Sequence, residues 1–200
     1  MRFVLLHAHA ALVPLLFGAA LSWAAVSRAQ GSELPTDSVY RLDIPLVDQY
    51  GNGQHLADRR GRPLVVGMFY TSCHTVCPLV VDTMLATERA LSSAGLDGVD
   101  VLLVSFDANR DDPLALKRMA ESRKLDARRW TLARTEPADV RKLAAVLGIQ
   151  YRQLENGEFN HSSALILLDA EGRIAGRTER IGATDPTFID AIGAARTATK

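Results

Sequence analysis

The sequence predicts a single α/β domain on a mixed sheet, and three observations predict it. Two nearly continuous apolar runs, Pro63–Tyr70 and Val99–Phe106, read as strands covered on both faces. Each is followed by apolar residues at helical spacing, so strands alternate with helices as in parallel crossovers. Near the carboxyl end, Ala164–Leu168 and Arg173–Gly176 flank Asp169-Ala170-Glu171-Gly172, a late β-hairpin that adds antiparallel pairing.

The first 29 residues stand apart from this domain. Phe3 to Val26 carries no formally charged side chain, with Arg2 before it and Arg28 after it. Ser27-Arg28-Ala29 places small residues suitably for a cut after Ala29, which predicts a secretory signal peptide. The alternative is an N-terminal membrane anchor, since about 20 apolar residues suffice to span a bilayer. Either way the globular part lies outside the cytoplasm. Residues 30–38 read as a short polar linker, and 39–197 as the domain.

Within the domain, Val39 to Val47 alternates partially and reads as a first strand. Gly51-Asn52-Gly53 turns it into a short segment around His55–Leu56. After the first buried run, Pro78 to Ala94 is a helix with Leu79, Val80, Met84, Leu85 and Leu91 as its apolar positions. After the second, Pro113 to Leu125 is a helix with a stripe of Leu114, Leu116, Met119 and Ala120. Trp130–Ala133 reads as a short strand. Pro137–Leu147 is a helix that starts on a first-turn proline and stops at Gly148. Asp185–Ala195 closes the chain as a helix.

Composition removes several classes of function. The chain is 48% hydrophobic and 23% charged over 200 residues, which places it among globular proteins. Its 23 basic and 23 acidic residues balance, so it lacks the excess of base that nucleic acid requires. Loss of residues 1–29 would leave 21 basic against 23 acidic residues, a net charge of −2. Two cysteines are too few for a disulfide-built scaffold.

Those cysteines carry the chemistry. In Phe69-Tyr70-Thr71-Ser72-Cys73-His74-Thr75-Val76-Cys77-Pro78 a buried strand ends and a helix begins. Cys77 falls at about the N-cap and Cys73 in the loop before it, where the helix dipole favours a thiolate and a lowered thiol pKa. Such a pair could exchange disulfides, attack a substrate or hold a soft metal; a bridge that merely pins the loop would contribute little loop entropy. Three residues separate the cysteines, whereas disulfide oxidoreductases of the thioredoxin type use two. Two thiolates under-coordinate most metals, so a third ligand is sought among five histidines. His7 and His9 lie in the leader and His55 in a polar turn. His74 sits between the cysteines, where it tunes a thiol or is solvated. His161 follows the loop Asn156–Asn160 and precedes the strand Ala164–Leu168; a structural role and a ligand role are both open to it.

Phe69-Tyr70-Thr71-x-Cys73-x-x-x-Cys77-Pro78 resembles the signature of the SCO/SenC copper-chaperone family. So do Val104-Ser105-Phe106-Asp107-x-x-Arg110-Asp111-x-Pro113 and His161-Ser162 ahead of Leu165–Asp169 and Gly172. The resemblance implies a thioredoxin-like fold with a central mixed sheet flanked by helices, and a periplasmic location, exported or tethered to the inner membrane. It implies copper, Cu(I) or Cu(II), held by Cys73, Cys77 and His161. It also implies delivery to the binuclear copper site of a cytochrome c oxidase subunit, the expected partner beside other periplasmic copper or thiol-redox proteins. The family usually carries Pro-Asp-x between its cysteines, where this chain has His74-Thr75-Val76. Asp107, Arg110 and Asp111 are expected to order a loop, with a supporting role for Asp107 near the metal as the minority alternative. Two other functions compete: a thiol–disulfide oxidoreductase using Cys73 and Cys77 on a partner's copper-site cysteines, and a peroxidase in which Arg110 activates the first cysteine.

Overall fold

The computed structural model describes residues 33–73, 76–96 and 98–198; the leader, with His7 and His9, and the intervening His74 and Thr75 lie outside them. The core of the fold is a strip of strands that must be dry on both faces. Leu64–Phe69 (β3) and Asp100–Ser105 (β4) are the two apolar runs, and nearly every residue in them is buried. They pair in parallel with Val66 opposite Leu102. Trp130–Arg134 (β5) continues the parallel strip on the far side of β4, with Leu102 opposite Thr131.

The strip is extended antiparallel at both edges. Pro45–Asp48 (β1) pairs with β5 and with Gly53–His55 (β2). On the other side, Leu165–Leu168 (β8) pairs with β3 and with Ile174–Thr178 (β9). The seven-stranded order is β2-β1-β5-β4-β3-β8-β9. The β8–β9 turn closes on Gly172 at φ +80, where a Cβ would lie 2.5 Å from the Tyr40 ring. No other residue type fits that corner.

Among the described residues four helices cover the sheet: Val76–Ser93 (α1), Pro113–Ser122 (α2), Pro137–Val146 (α3) and Pro186–Thr197 (α4). Two begin as their sequences require, with Asp112 and Asp185 accepting from first-turn N–H groups ahead of a proline. Right-handed crossovers place α1 and α2 on one face, and Arg123 joins them by donating to the Pro78 carbonyl and pairing with Asp82. Among the described residues no helix is long and apolar enough to cross a membrane.

Three expectations are corrected. Val39–Val47 is not one strand: Val39–Arg41 is a 3-10 turn and pairing begins only at Pro45, because Ser38 accepts from the Tyr40 N–H and caps a turn there. Leu79 and Leu114 are exposed, each in the first turns of its helix; the buried edges are formed by Val80, Val81 and Met84, and by Leu116 and Ala120. The segment before His161 is not merely a loop. Tyr151–Gln153 (β6) and Phe159–His161 (β7) form a separate two-stranded sheet with Tyr151 opposite His161.

Candidate metal centre

Topology explains why three distant motifs meet. β4 runs parallel to β3, so Ser105–Asp111 emerges at the same end as Tyr70–Cys73. β8 runs antiparallel to β3 with Leu165 opposite Gly67, which brings its start, and His161 just before it, to that same end. One edge of the sheet thus collects the cysteines, the Asp107–Asp111 segment and the histidine.

There Cys73, Cys77 and His161 have their donor atoms within 4.8 Å of one another. Both cysteines are buried thiols outside any disulfide, and His161 is half-buried. His161 Nε2 lies 3.9 Å from Cys77 Sγ. Its Nδ1 lies 3.1 Å from the Ser162 carbonyl, which can only accept. With the ring proton on Nδ1 that carbonyl accepts it, the Ser163 hydroxyl lying farther off at 3.4 Å, and the Nε2 lone pair faces the sulfur. The Cys77 N–H donates to Cys73 Sγ at 3.3 Å, stabilising negative charge on that sulfur.

The expected lowering of the thiol pKa fails at Cys77. α1 begins at Val76, so Cys77 lies inside its first turn and points into the core with no exposed surface. Burial pushes its thiol well above the ordinary range, outweighing the helix terminus, and its hydrogen bond with Cys73 adds to the rise.

A ligand set of two sulfurs and one imidazole nitrogen is soft, and it matches metals that accept low coordination. Bonds of about 2.0–2.3 Å from one ion would hold such ligands roughly 3.5–4 Å apart. The three residues therefore fit a single ion after closing by about 1 Å.

The second motif supports both halves of the site. Asp111, 1% exposed, accepts from the Thr71 N–H at 2.9 Å and from the Thr71 and Ser105 hydroxyls at 2.5 Å each. It fixes the loop two residues before Cys73. Asp107 pairs with Arg110, whose guanidinium also donates to the Gly157 carbonyl in the β6–β7 turn. This is the loop-ordering role expected of the cluster. With those two partners engaged, Arg110 is not free to activate a cysteine, and the peroxidase alternative loses its arginine. His55 is exposed and pairs with Asp43, as a turn histidine should.

Residues whose role the motifs alone do not reveal complete the wall. Tyr70, Phe106, Tyr151 and Phe159 form an aromatic cluster against His161, with the Phe106 and His161 rings 5.0 Å apart. The Tyr70 hydroxyl donates to Glu158 at 2.6 Å, and burial together with that bond raises its pKa. The Asn156-Gly157 dipeptide was the available signal. It is a strong turn pair, and Gly157 takes φ +81 between β6 and β7.

A profile of the SCO1/SenC family matches residues 36–194. The chain belongs to the SCO1/SenC family. Among curated relatives, the mouse (Mus musculus) mitochondrial SCO2 homolog is 28% identical over 121 residues, covering 55% of this chain and 48% of that protein. The chain thus spans about half the length of the curated relatives it matches. Among solved structures, a protein of Aquifex aeolicus VF5 is 26% identical at a TM-score of 0.70, covering 80% of this chain and 94% of the other. Yeast Sco1 with copper bound is 20% identical at a TM-score of 0.60, covering 76% and 85%; at that identity the likeness is one of fold. The mixed sheet and helices of this SCO1/SenC domain are the thioredoxin-like architecture that the sequence resemblance implied.

Proposed function

We propose that this SCO1/SenC domain binds one copper ion through Cys73, Cys77 and His161 and delivers it to the binuclear copper site of cytochrome c oxidase. The observation that carries the proposal is the convergence of those three donors within 4.8 Å at one sheet edge. Copper is the cargo. Thiolates suit Cu(I), and the imidazole lets the site also hold Cu(II). Three protein ligands leave a position for an incoming ligand of the acceptor, so the ion can be exchanged without ever being free. Each thiol gives up its proton as the sulfur binds, and regains it on release. Yeast Sco1, of the same fold, has been solved with copper bound. The charge-free run Phe3–Val26 supports export to the periplasm, or tethering there through the N-terminal segment.

The test is an anaerobic Cu(I) titration of the reduced protein against a competing chelator, repeated with His161→Ala. One tight copper per chain, weakened about 10- to 100-fold by the substitution, is expected. Failure of the reduced protein to hold copper would sink the proposal.

A second reading, thiol–disulfide exchange, draws on the same two thiols. It predicts exchange that is lost in Cys73→Ser and Cys77→Ser but survives His161→Ala. The buried, proton-retaining Cys77 thiol is a poor attacking group, which leaves Cys73 as the nucleophile in this reading.

A further inference from the structure

We infer that the face carrying Arg141 and Arg152 is a docking surface for an acidic protein partner, one that seats carboxylates and an apolar side chain beside the metal centre. The inference rests on the delivery reading above and specifies the partner's chemistry.

Beside the aromatic wall of the site lies a hollow of about 330 Å³, floored by Phe106, Tyr151 and Phe159 and edged by Arg141 and Arg152. A second hollow, about 290 Å³, shares Tyr151 and Arg152 with the first and reaches His161 itself. The two adjoin at Tyr151 and Arg152 on the β6–β7 hairpin, the first reaching the start of α3 and the second a proposed ligand.

Its charge is one-sided. Among the described residues, the Arg141 and Arg152 side chains make neither an ion pair nor a side-chain hydrogen bond, and both are exposed. Many other arginines are committed, as Arg60 is to Glu171 and Arg177 to Glu179, but Arg141 and Arg152 are the two that meet at one hollow. Asp107 is the one carboxylate lining either hollow, and Arg110 already neutralises it. The exposed Glu155 lies along the hairpin turn, outside both hollows. Two unpaired cations over an aromatic floor, on a chain with no net charge, form a local positive field. A carboxylate-bearing surface complements the rim, and an apolar side chain complements the floor. An acceptor seated there touches the same aromatic wall that packs on His161, within reach of the ligand it must replace.

The experiment follows copper transfer from the Cu(I)-loaded protein to the soluble copper-site domain of a cytochrome c oxidase subunit, by stopped flow. The Arg141→Glu/Arg152→Glu double variant should transfer about tenfold more slowly at low salt. The wild-type rate should fall as salt rises while the variant's stays flat. The Arg141→Lys/Arg152→Lys variant should keep the wild-type rate. Transfer to a small neutral chelator should be unchanged in all three, showing the site intact. Equal rates for wild type and the Glu variant would overturn the docking inference alone. The same holds if the Glu variant loses only its binding to phosphatidylglycerol vesicles, which would assign the arginines to lipid. A wild-type protein that binds copper but passes none to the acceptor would instead overturn the delivery reading beneath it.

Discussion

Asp111 is where the sequence motif and the site geometry can be separated by measurement. Its carboxylate accepts three hydrogen bonds, from the Thr71 N–H and from the Thr71 and Ser105 hydroxyls. In Asp111→Ala all three donors lose their acceptor. Water can reach Thr71, which is partly exposed, but not Ser105, which is fully buried. Orphaning a buried donor costs about 1–3 kcal/mol, and the half-wet pair at Thr71 costs less per bond, so the sum is about 4 kcal/mol. In Asp111→Asn the amide can still meet all three groups, because the Thr71 hydroxyl can turn and accept. What is lost is the charge assistance, about 2 kcal/mol in total. For a domain of this size each kcal/mol moves Tm by about 2–4 °C, so the Ala variant should melt about 8–16 °C lower and the Asn variant about 4–8 °C lower. Calorimetry of the reduced proteins reads both, and a chelator competition reads the site. Copper affinity should weaken in both variants, since Thr71 anchors the loop two residues before Cys73. An Ala variant melting within about 2 °C of wild type, or Ala and Asn variants that melt together, would refute this account of the loop.

Arg110→Ala removes both the partner of Asp107 and the donor to the Gly157 carbonyl. About 1–2 kcal/mol should be lost, the half-exposed guanidinium tempering the cost of the buried aspartate. Amide hydrogen exchange should rise across 154–160 while β3 and β4 stay protected; uniform exchange changes would count against a local clamp. Glu88 on α1 is buried beside Trp130, whose indole N–H donates to it at 3.1 Å, and burial raises its pKa. A carboxyl raised on folding binds its proton more tightly in the native state. Its penalty is absent below the ordinary carboxylate pKa and complete above the raised one, so stability falls as pH rises through that interval. Glu88→Gln should flatten that fall in urea titrations run upward from the ordinary carboxylate pKa, about 4.3; an unchanged profile would show that Glu88 does not set it.

The parts of the fold legible in the sequence are those whose burial is total. β3, β4 and β8 are apolar at almost every position, so their boundaries fall within a residue or two of expectation. The β6–β7 hairpin escaped because each strand has three residues, too few to show a period of two, and each mixes aromatic with polar side chains. The site divides in the same way. Cys73 and Cys77 announce themselves by type and spacing. His161 alone is an ambiguous histidine, and only the antiparallel register of β8 against β3 brings it to the cysteines. The lowered pKa expected of Cys77 failed for a related reason. A helix start is visible in sequence, but whether a first-turn side chain turns inward depends on packing that no local pattern encodes.

That inward turn excludes Cys77 as the attacking sulfur of a reductase and leaves that part to Cys73. A reductase needs its attacking sulfur ionised and exposed, since the thiolate is the nucleophile. In this site Cys77 is fully buried and its thiol holds its proton. An empty site thus avoids a buried anion, which would be costly to leave unpaired. When the ion binds it takes the proton's place, and the sulfur's charge is compensated by metal in one state and by hydrogen in the other. Loading and unloading then exchange one cation for another without exposing the core to an unbalanced charge. His161 completes the arrangement from the half-buried side. Its Nε2 lone pair is already aimed at Cys77, and its Nδ1–H is fixed by the Ser162 carbonyl. In the delivery reading proposed above, the buried sulfur holds the copper and His161, the ligand nearest solvent, is the one an acceptor displaces first.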